Sequence, residues 1–478
     1  MTQLSFPALR AVAAAALLAA AGLAQAPLNP GNLFVVRFGD GSVSLNNVAT
    51  ATFLDEYTTS GTLVQSIAMP TVASGSNQPL TNSGTAVSEG ILNVTENGLY
   101  LTLAGYAAAP GLAAVAQTVS SATPRVIGRV DLLGQVDTST TITDGYNGAT
   151  GSNANIRSAV SVDGNAFWTS GTGAPAAAGV RYVALGTSTS VGLNAGAPSN
   201  VRVVGIYNGQ LYSSSASTVY QSVCTVGVGL PTTPGQSIAV LPGLPTSSLP
   251  APGPSAYDFH FASPTRLYIA DDRSSGQGGI QRYDLVGGTW TLAYTLAPSA
   301  TSGCRGLSGF SQGGVTTLWA TTTNNLLVTV TDTGAASTFT TLATAPVNTA
   351  FRGLRYLPEP TTLQRLPGGC GTADIIAIGN GQIGTDVITT VLNPAGFGFV
   401  GYGLNAQSLP LFVFGCPSCI ALHDFTFLAG GPQHILSLPN QPSLINLSVR
   451  LQGIDFLAPG PCTDPLLSLT DGYQFTIQ

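Results

Sequence analysis

The strongest constraint on this chain is a repetition that stops. Five segments share one layout: a charged residue, an apolar run, a turn of Gly, Asn, Asp or Pro type, then a second strand-like run. They are SEGILNVTENGLYLTLAG from Ser88, IRSAVSVDGNAFWTSG from Ile156, VRVVGIYNGQLYSSS from Val201, YDFHFASPTRLYIADD from Tyr257 and CRGLSGFSQGGVTTLWATT from Cys304. One more, FRGLRYL within Ala350–Leu366, has the first strand and then meets Pro358. At the other end NLFVVRFGDG, from Asn32, looks like a second strand with no first strand before it. A closed circle of repeats, in which the N-terminal segment completes the unit begun at 351–357, explains both incomplete ends.

Hairpin patterns of two half-apolar runs accompany these pairs: FLDEYTTSGTLVQSIAMP near the N-terminus, then runs from Arg125, Gly179, Gly227, Gly279 and Leu326. Each unit therefore holds four short strands. The leading charged residues Glu89, Arg157, Arg202, Asp258, Arg305 and Arg352 are separated by 68, 45, 56, 47 and 47 residues. Four strands repeating at about 40–50 residues is the period of a β-propeller, whereas solenoids of that length are helical. No window sustains an apolar period of 3.6 without a Gly or Pro break, which removes the helical alternatives. The expected fold is all-β: a six-bladed β-propeller over 27–358, or a seven-bladed one if loop 71–86 and the 68-residue gap hold irregular strands, followed by a β-sandwich. A proline-stiffened linker at 359–369 leads into 370–478, where about eight short strands can be read.

Composition agrees with an all-β class: 8% charged residues, with 58 Gly and 31 Pro. A net charge of −6 with no lysine provides no basic patch for a nucleic-acid partner. Residues 1–26 read as a signal peptide, with Arg10 ahead of AVAAAALLAAAGL and small residues at AGLAQA. Cleavage falls after Ala24 or Ala26, and Pro27 argues against the second. No cysteine follows the apolar run, so lipoprotein processing is not expected. The apolar run is shorter than the roughly 20 residues a spanning helix needs, and no later segment suggests a membrane span. The expected address is secreted or cell surface.

The LDEYTTSGTLVQSI hairpin, FRGLRYLPEP at the end of the repeats, and GNGQIGT, GCPSC, LPNQPSLINLSVRLQG and LTDGYQFTI in the tail together resemble uncharacterised secreted bacterial β-propeller proteins with a C-terminal sandwich module. The resemblance covers nearly all of the mature chain. It implies a fold, export and a general surface or sorting role for the tail, and it implies no reaction.

Six cysteines in an exported chain read first as disulfides. Cys370, Cys416, Cys419 and Cys462 allow three connectivities; Cys370 with Cys416 and Cys419 with Cys462 is favoured, since both tie strands distant in sequence. Cys224 and Cys304 are a candidate propeller pair. Cys416, Cys419, His423 and His434 imitate zinc-ligand spacing, but an oxidising compartment competes for those thiols. No GxSxG elbow, HExxH, phosphate loop or EF-hand spacing occurs, and no cofactor is implied. His260, in the apolar run YDFHF, reads as a core histidine, and Asp271 and Asp272 as a solvated turn rather than a calcium site.

If the charged position recurs around the axis, Glu89, Arg157, Arg202, Asp258, Arg305 and Arg352 form a ring at one channel mouth, with four arginines against two carboxylates. Guanidinium forks suit an anionic partner such as a carboxylated or sulfated glycan or another envelope component. The competing structural reading is that these residues pin blades together. Three classes of function follow: a non-catalytic binding or adhesion protein, which the scarcity of His, Asp and Glu favours; an extracellular propeller hydrolase, lyase or lactonase; or a structural envelope component.

Overall fold

The computed structural model describes residues 26–477 other than 148–151, 153, 195, 247–253, 275, 313, 359–363, 379–385, 393, 412–415, 439, 440, 445, 457–461, 464 and 465. The expected signal segment lies outside the described residues except for Ala26, as does 359–363 of the expected linker. The protein is all-β and propeller-like. Among the described residues the helical elements are the short turns Val115–Gln117 and Pro442–Leu444, and no helix is long and apolar enough to cross a membrane.

Antiparallel four-stranded sheets follow one another along the chain. Ile156–Val160 opens the first, Val201–Tyr207 the next, then Ala256–Ser263 and Cys304–Gln312; in each, the strands pair in chain order. The opening strand of each sheet lies against the opening strand of the next, so these are the inner strands. Ala350–Tyr356 continues the series, and its partner comes from the other end of the chain. Leu33–Phe38 inserts between it and Ala49–Tyr57, with Leu33 opposite Tyr356 and Phe38 opposite Ala350; Leu63–Ala68 adds the outer strand.

Strand alternation shows why LFVVRF serves this purpose. Leu33 and Val35 pack with Trp319, Leu327, Phe351 and Leu354 on one face, while Phe34, Val36 and Phe38 pack with Leu80, Leu101 and Leu103 on the other. Side chains at successive positions point to opposite faces, so an almost wholly apolar strand fits a site buried on both. Loop 71–86 does contain a strand, Thr81–Ser83, which pairs with Ala49–Ala51 and touches Tyr106, joining this sheet to the one built from Asn93–Val94, Tyr100–Tyr106, Arg125–Asp131 and Val136–Ile142.

At the RGL triplets the inner strands run close against the next repeat. A Cβ on Gly306 would lie 2.8 Å from the Arg352 carbonyl oxygen, and one on Gly353 would lie 2.4 Å from the Leu92 nitrogen. Only glycine leaves room for the next strand there.

In the tail, Gln364–Leu366, Leu466–Thr476, Ser448–Phe456, Phe397–Gly403 and Phe427–Gly430 make one sheet, and Asp374–Ile378, Asp386–Leu392 and Gln433–Ser437 another. Ile375, Val387, Val391, Val400, Leu451 and Phe475 form their shared core. The cysteine pairing differs from expectation, because Cys370 is bonded to Cys419. The Ile420 amide bonds the Gly368 carbonyl, and the Cys370 amide bonds that of Leu469, so 368–370 runs beside the buried, inward-facing Cys419. Sequence separation was the wrong criterion, since strand neighbourhood sets the pair. The side chains of Cys416 and Cys462 lie outside those described. Cys224 and Cys304 are not a disulfide: both are free thiols buried in separate cores. Burial pushes the Cys224 thiol up to about 12 and raises Cys304 further, so neither is a ready nucleophile.

Ending the chain at residue 345 removes the closing strand and leaves an edge of Leu33–Phe38 unpaired. Aggregation is expected, whereas a chain ending at 358 keeps the ladder; light scattering during a thermal ramp separates the two. Replacing Cys370 and Cys419 by Ser opens a loop with a sequence separation of 49. On the chain-entropy argument the tail should lose roughly 4 kcal/mol, measured by denaturant unfolding, and peptide mapping should recover the Cys370–Cys419 cross-link.

Candidate functional site

Each inner strand breaks register near its start. Pairing skips Arg157 between Ile156 and Ser158, and Arg202 between Val201 and Val203; it also slips between Cys304 and Leu307, between Ala256 and Phe259, and between Phe351 and Leu354. These are β-bulges, which free a residue from the ladder and re-aim its side chain. Arg157, Arg202, Arg305 and Arg352 all occupy them. In the strand from Ala256 the corresponding place, directly after the last paired residue, belongs to Tyr257, so Asp258 is one residue deeper. Glu89 lies outside the strands, ahead of Asn93–Val94.

The freed arginines reach the start of the neighbouring repeat. Arg157 Nη1 donates to the Val201 carbonyl at 3.2 Å and to Asn200 Oδ1. Arg202 Nη1 donates to the Ala256 carbonyl at 2.8 Å and to Ser255 Oγ at 3.1 Å. Arg352 Nε donates to the Ala86 carbonyl at 2.8 Å. Arg305 instead makes one long contact, Nε to Asp272 Oδ2 at 3.4 Å. Arg157 and Arg352 are only 8% and 5% exposed; Arg202 and Arg305 are somewhat less buried, with the Arg305 side chain 16% exposed.

Burial, then the charge of Arg202, lowers Arg157 to about 10; burial, then Arg305, lowers Arg352 to about 10. Both therefore stay cationic at neutral pH. Tyr257 links the remaining two, with the Arg202 guanidinium carbon 4.0 Å and the Arg305 guanidinium carbon 5.9 Å from its ring centre.

The expected acidic members of the ring stand elsewhere. Glu89 is fully buried; its carboxylate accepts Tyr106 Oη at 2.7 Å, the Ser83 amide at 2.8 Å and Asn155 Nδ2. Burial raises its pKa against those hydrogen bonds. Arg125 stacks behind on the Tyr106 ring, 4.8 Å from its centre, while its guanidinium serves the carbonyls of Thr118, Thr123, Tyr146 and Ala154.

Asp258 belongs to a network across the axis that the sequence reading overlooked. Its two oxygens accept Arg355 Nη1 at 2.5 Å and Nη2 at 3.0 Å, plus the Leu307 and Phe259 amides. Arg355 also donates to the Leu307 carbonyl and to Asn93 Oδ1, and Asn93 Nδ2 donates to Ser158 Oγ and the carbonyls of Ala159 and Val204. Every inner strand contributes a group to this plug. The available signal was the second arginine of FRGLRYL, uncharged neighbours aside.

His260 follows Asp258 on the same side of the strand, and burial together with the Arg355 charge holds it down to about 4, so it is neutral at pH 7. Asp271 is taken by Arg273 and Gln281, and Asp272 by Arg305. In the tail, Cys419 is a disulfide, His434 Nδ1 bonds Tyr402 Oη at 3.0 Å and His423 Nδ1 accepts the Phe425 amide, so the zinc-like spacing does not gather a ligand set among the described residues.

No protein-family model matches the chain, and no curated protein matches its sequence. Among solved structures it is similar to the periplasmic gluconolactonase of Pseudomonas aeruginosa, at 12% identity over 85% of this chain and 100% of that one, with a TM-score of 0.36. It is also similar to the β-propeller domain of Myceliophteria thermophila Cps50, at 12% identity over 52% of this chain and 84% of that one, TM-score 0.30. At this level of likeness no chemistry transfers from those proteins to this one.

Replacing Arg355 by Ala leaves the Asp258 carboxylate buried without a cation. A loss of about 3–5 kcal/mol is expected in denaturant unfolding, with part recovered by adding Asp258→Asn.

Proposed function

We propose that this is an exported, non-catalytic binding protein: a six-bladed propeller over 27–358 with a β-sandwich tail over 370–478, whose channel mouth takes an anionic ligand. The disulfide Cys370–Cys419 supports export to an oxidising compartment. The observation that carries the ligand reading is the gathering of Arg157, Arg202, Arg305 and Arg352 in equivalent bulges of a protein whose net charge is −6. Three of them donate to neutral carbonyls, which do not cancel their charge, and Arg157 Nε is buried without a hydrogen-bond partner. The same contacts pin neighbouring repeats together, so the structural role and the field at the mouth come from one set of residues. Arg157 and Arg352 build the mouth, and the more open Arg202 and Arg305 meet the ligand.

A binding screen of the mature chain against neutral, carboxylated and sulfated glycans tests this. Anionic glycans are expected to bind, and the double change Arg202→Lys, Arg305→Lys, which keeps the charge and removes the forks, should weaken them by at least about 100-fold, or ~2.7 kcal/mol. Arg157→Ala, Arg202→Ala or Arg352→Ala should each lower the melting temperature, since each loses its contacts to the neighbouring repeat. Equal binding of neutral glycans, or a double variant that binds as before, would remove the proposal.

A further inference from the structure

We infer that the cleft between the tail and the turns at the far ends of the inner strands is a second ligand site, for a small apolar molecule carrying an ammonium group. The cleft measures about 310 Å³, within the range of small-molecule sites, which gather where separately packed units meet. It is independent of the anionic ligand proposed at the channel mouth, because the bulged arginines stand at the starts of the inner strands. The turn of Asp163 and Asn165 instead follows the end of Ile156–Val160, and Asn97 and Leu99 follow Asn93–Val94.

Strand alternation in the tail gives the cleft its apolar wall. Ile375, Val387, Val391 and Leu436 point into the tail's core, so Ile376, Ile388, Leu392 and Ile435 stand on the opposite face. A sheet face turned to solvent is ordinarily polar, yet Ile388 is paired with Ile435 here, and Ile435 keeps 53% of its surface exposed. Leu99, Leu132 and Leu133 line the cleft from the other side without closing over it. An apolar body between these walls removes both from water.

Charge selects what that body carries. The residues lining the cleft include two carboxylates, Asp131 and Asp163, and no arginine. Asp131 is half-buried, and its Oδ1 accepts the Leu133 and Gln135 amides at 2.9 and 2.8 Å, which leaves Oδ2 as an acceptor. Burial raises its pKa against those hydrogen bonds, so a cation beside it relieves a carboxylate short of water. Asp163 accepts the Asn165 amide and Nδ2 at 2.9 Å each, and Gln433 Nε2 donates to Thr390 Oγ1 at 3.2 Å; Asn165 Oδ1 and Gln433 Oε1 are left as further acceptors. The donors in the lining, Asn97 and Tyr100, are neutral and hold no anion. Arg129, stacked on Tyr100, is paired with Asp137 and donates to the Gly164 carbonyl. Acceptors and negative charge beside an apolar wall attract an ammonium, repel a carboxylate and give an alcohol only hydrogen bonds.

The test is isothermal titration of the full mature chain with one phenethyl skeleton carrying three head groups, as phenethylamine, phenethyl alcohol and phenylpropionate, and with methylamine as a cation lacking the apolar body. The amine is expected to bind as one molecule per chain and about ten-fold more tightly than the alcohol, with no measurable binding of phenylpropionate or methylamine. Asp131→Asn keeps the acceptor that its turn uses and removes the charge, so it should weaken the amine about five-fold and leave the alcohol unchanged. Ile435→Trp places a larger side chain at an exposed position of the wall and should abolish binding of both at an unchanged melting temperature. The Arg202→Lys, Arg305→Lys protein should bind the amine as the parent does, which separates this site from the channel mouth; weakening there would overturn the assignment to the cleft. Alcohol binding as tight as that of the amine, or measurable binding of phenylpropionate, would overturn the cation assignment. No binding by any of the four probes would overturn the site. Amine binding that survives both Asp131→Asn and Ile435→Trp would place it elsewhere and overturn the inference as well.

Discussion

The buried pair Asp258–Arg355 is the interaction on which the centre of this molecule depends. A carboxylate taken out of water is tolerated only if a cation and hydrogen-bond donors replace the solvent it loses. Asp258 receives both forks of Arg355 and two backbone amides, and Arg355 passes the remaining demand on to Asn93 and the Leu307 carbonyl. The arginine arrives on Ala350–Tyr356, the strand whose place is set by pairing with Leu33–Phe38. Axis, ring closure and the meeting of the two ends of the repeats are thus one event. If the N-terminal strand is displaced, the strand that carries the compensating charge loses its register.

A second device, the β-bulge, explains how a structural element can also present chemistry. One extra residue at the start of an inner strand leaves the ladder and turns its side chain toward the neighbouring sheet. Where that residue is Arg157, Arg202 or Arg352, carbonyls of the next repeat receive it. A carbonyl satisfies a guanidinium without neutralising it, whereas a carboxylate partner would cancel most of the field. Arg305 is the exception, tied only loosely to Asp272, and it shares the buried Tyr257 ring with Arg202.

Parts of the site were legible in the sequence and parts were not. The arginines were found because their position recurs in IRSAV, VRVVG, CRGLS and FRGLR. Glu89 and Asp258 were grouped with them on the same pattern, yet Glu89 precedes its strand and Asp258 is the second residue of its bulge, where Tyr257 takes the place the arginines hold in theirs. A charged letter ahead of an apolar run does not report register, and one residue of offset sends a side chain to a different place. Arg355 and Asn93 were passed over because nothing near them in sequence announces a partner; Asp258 is 97 residues away from Arg355. The disulfide was misassigned for a related reason, since Cys419 meets Cys370 through the strands that flank it and not through spacing.

What the sequence determined by itself was the period, the four-strand unit, the exclusion of helical folds and the borrowed strand, because these follow from local patterning and from the incompleteness of FRGLRYL and NLFVVRF taken together. Tertiary structure decided the rest. Which arginine is sealed and which is open, which carboxylate pairs with which cation, and which cysteines meet all depend on distances between strands far apart in the chain. Those distances are set by bulges and by close approaches such as Gly353 against Leu92, features of a fraction of an ångström to a single residue that hydrophobic patterning does not encode.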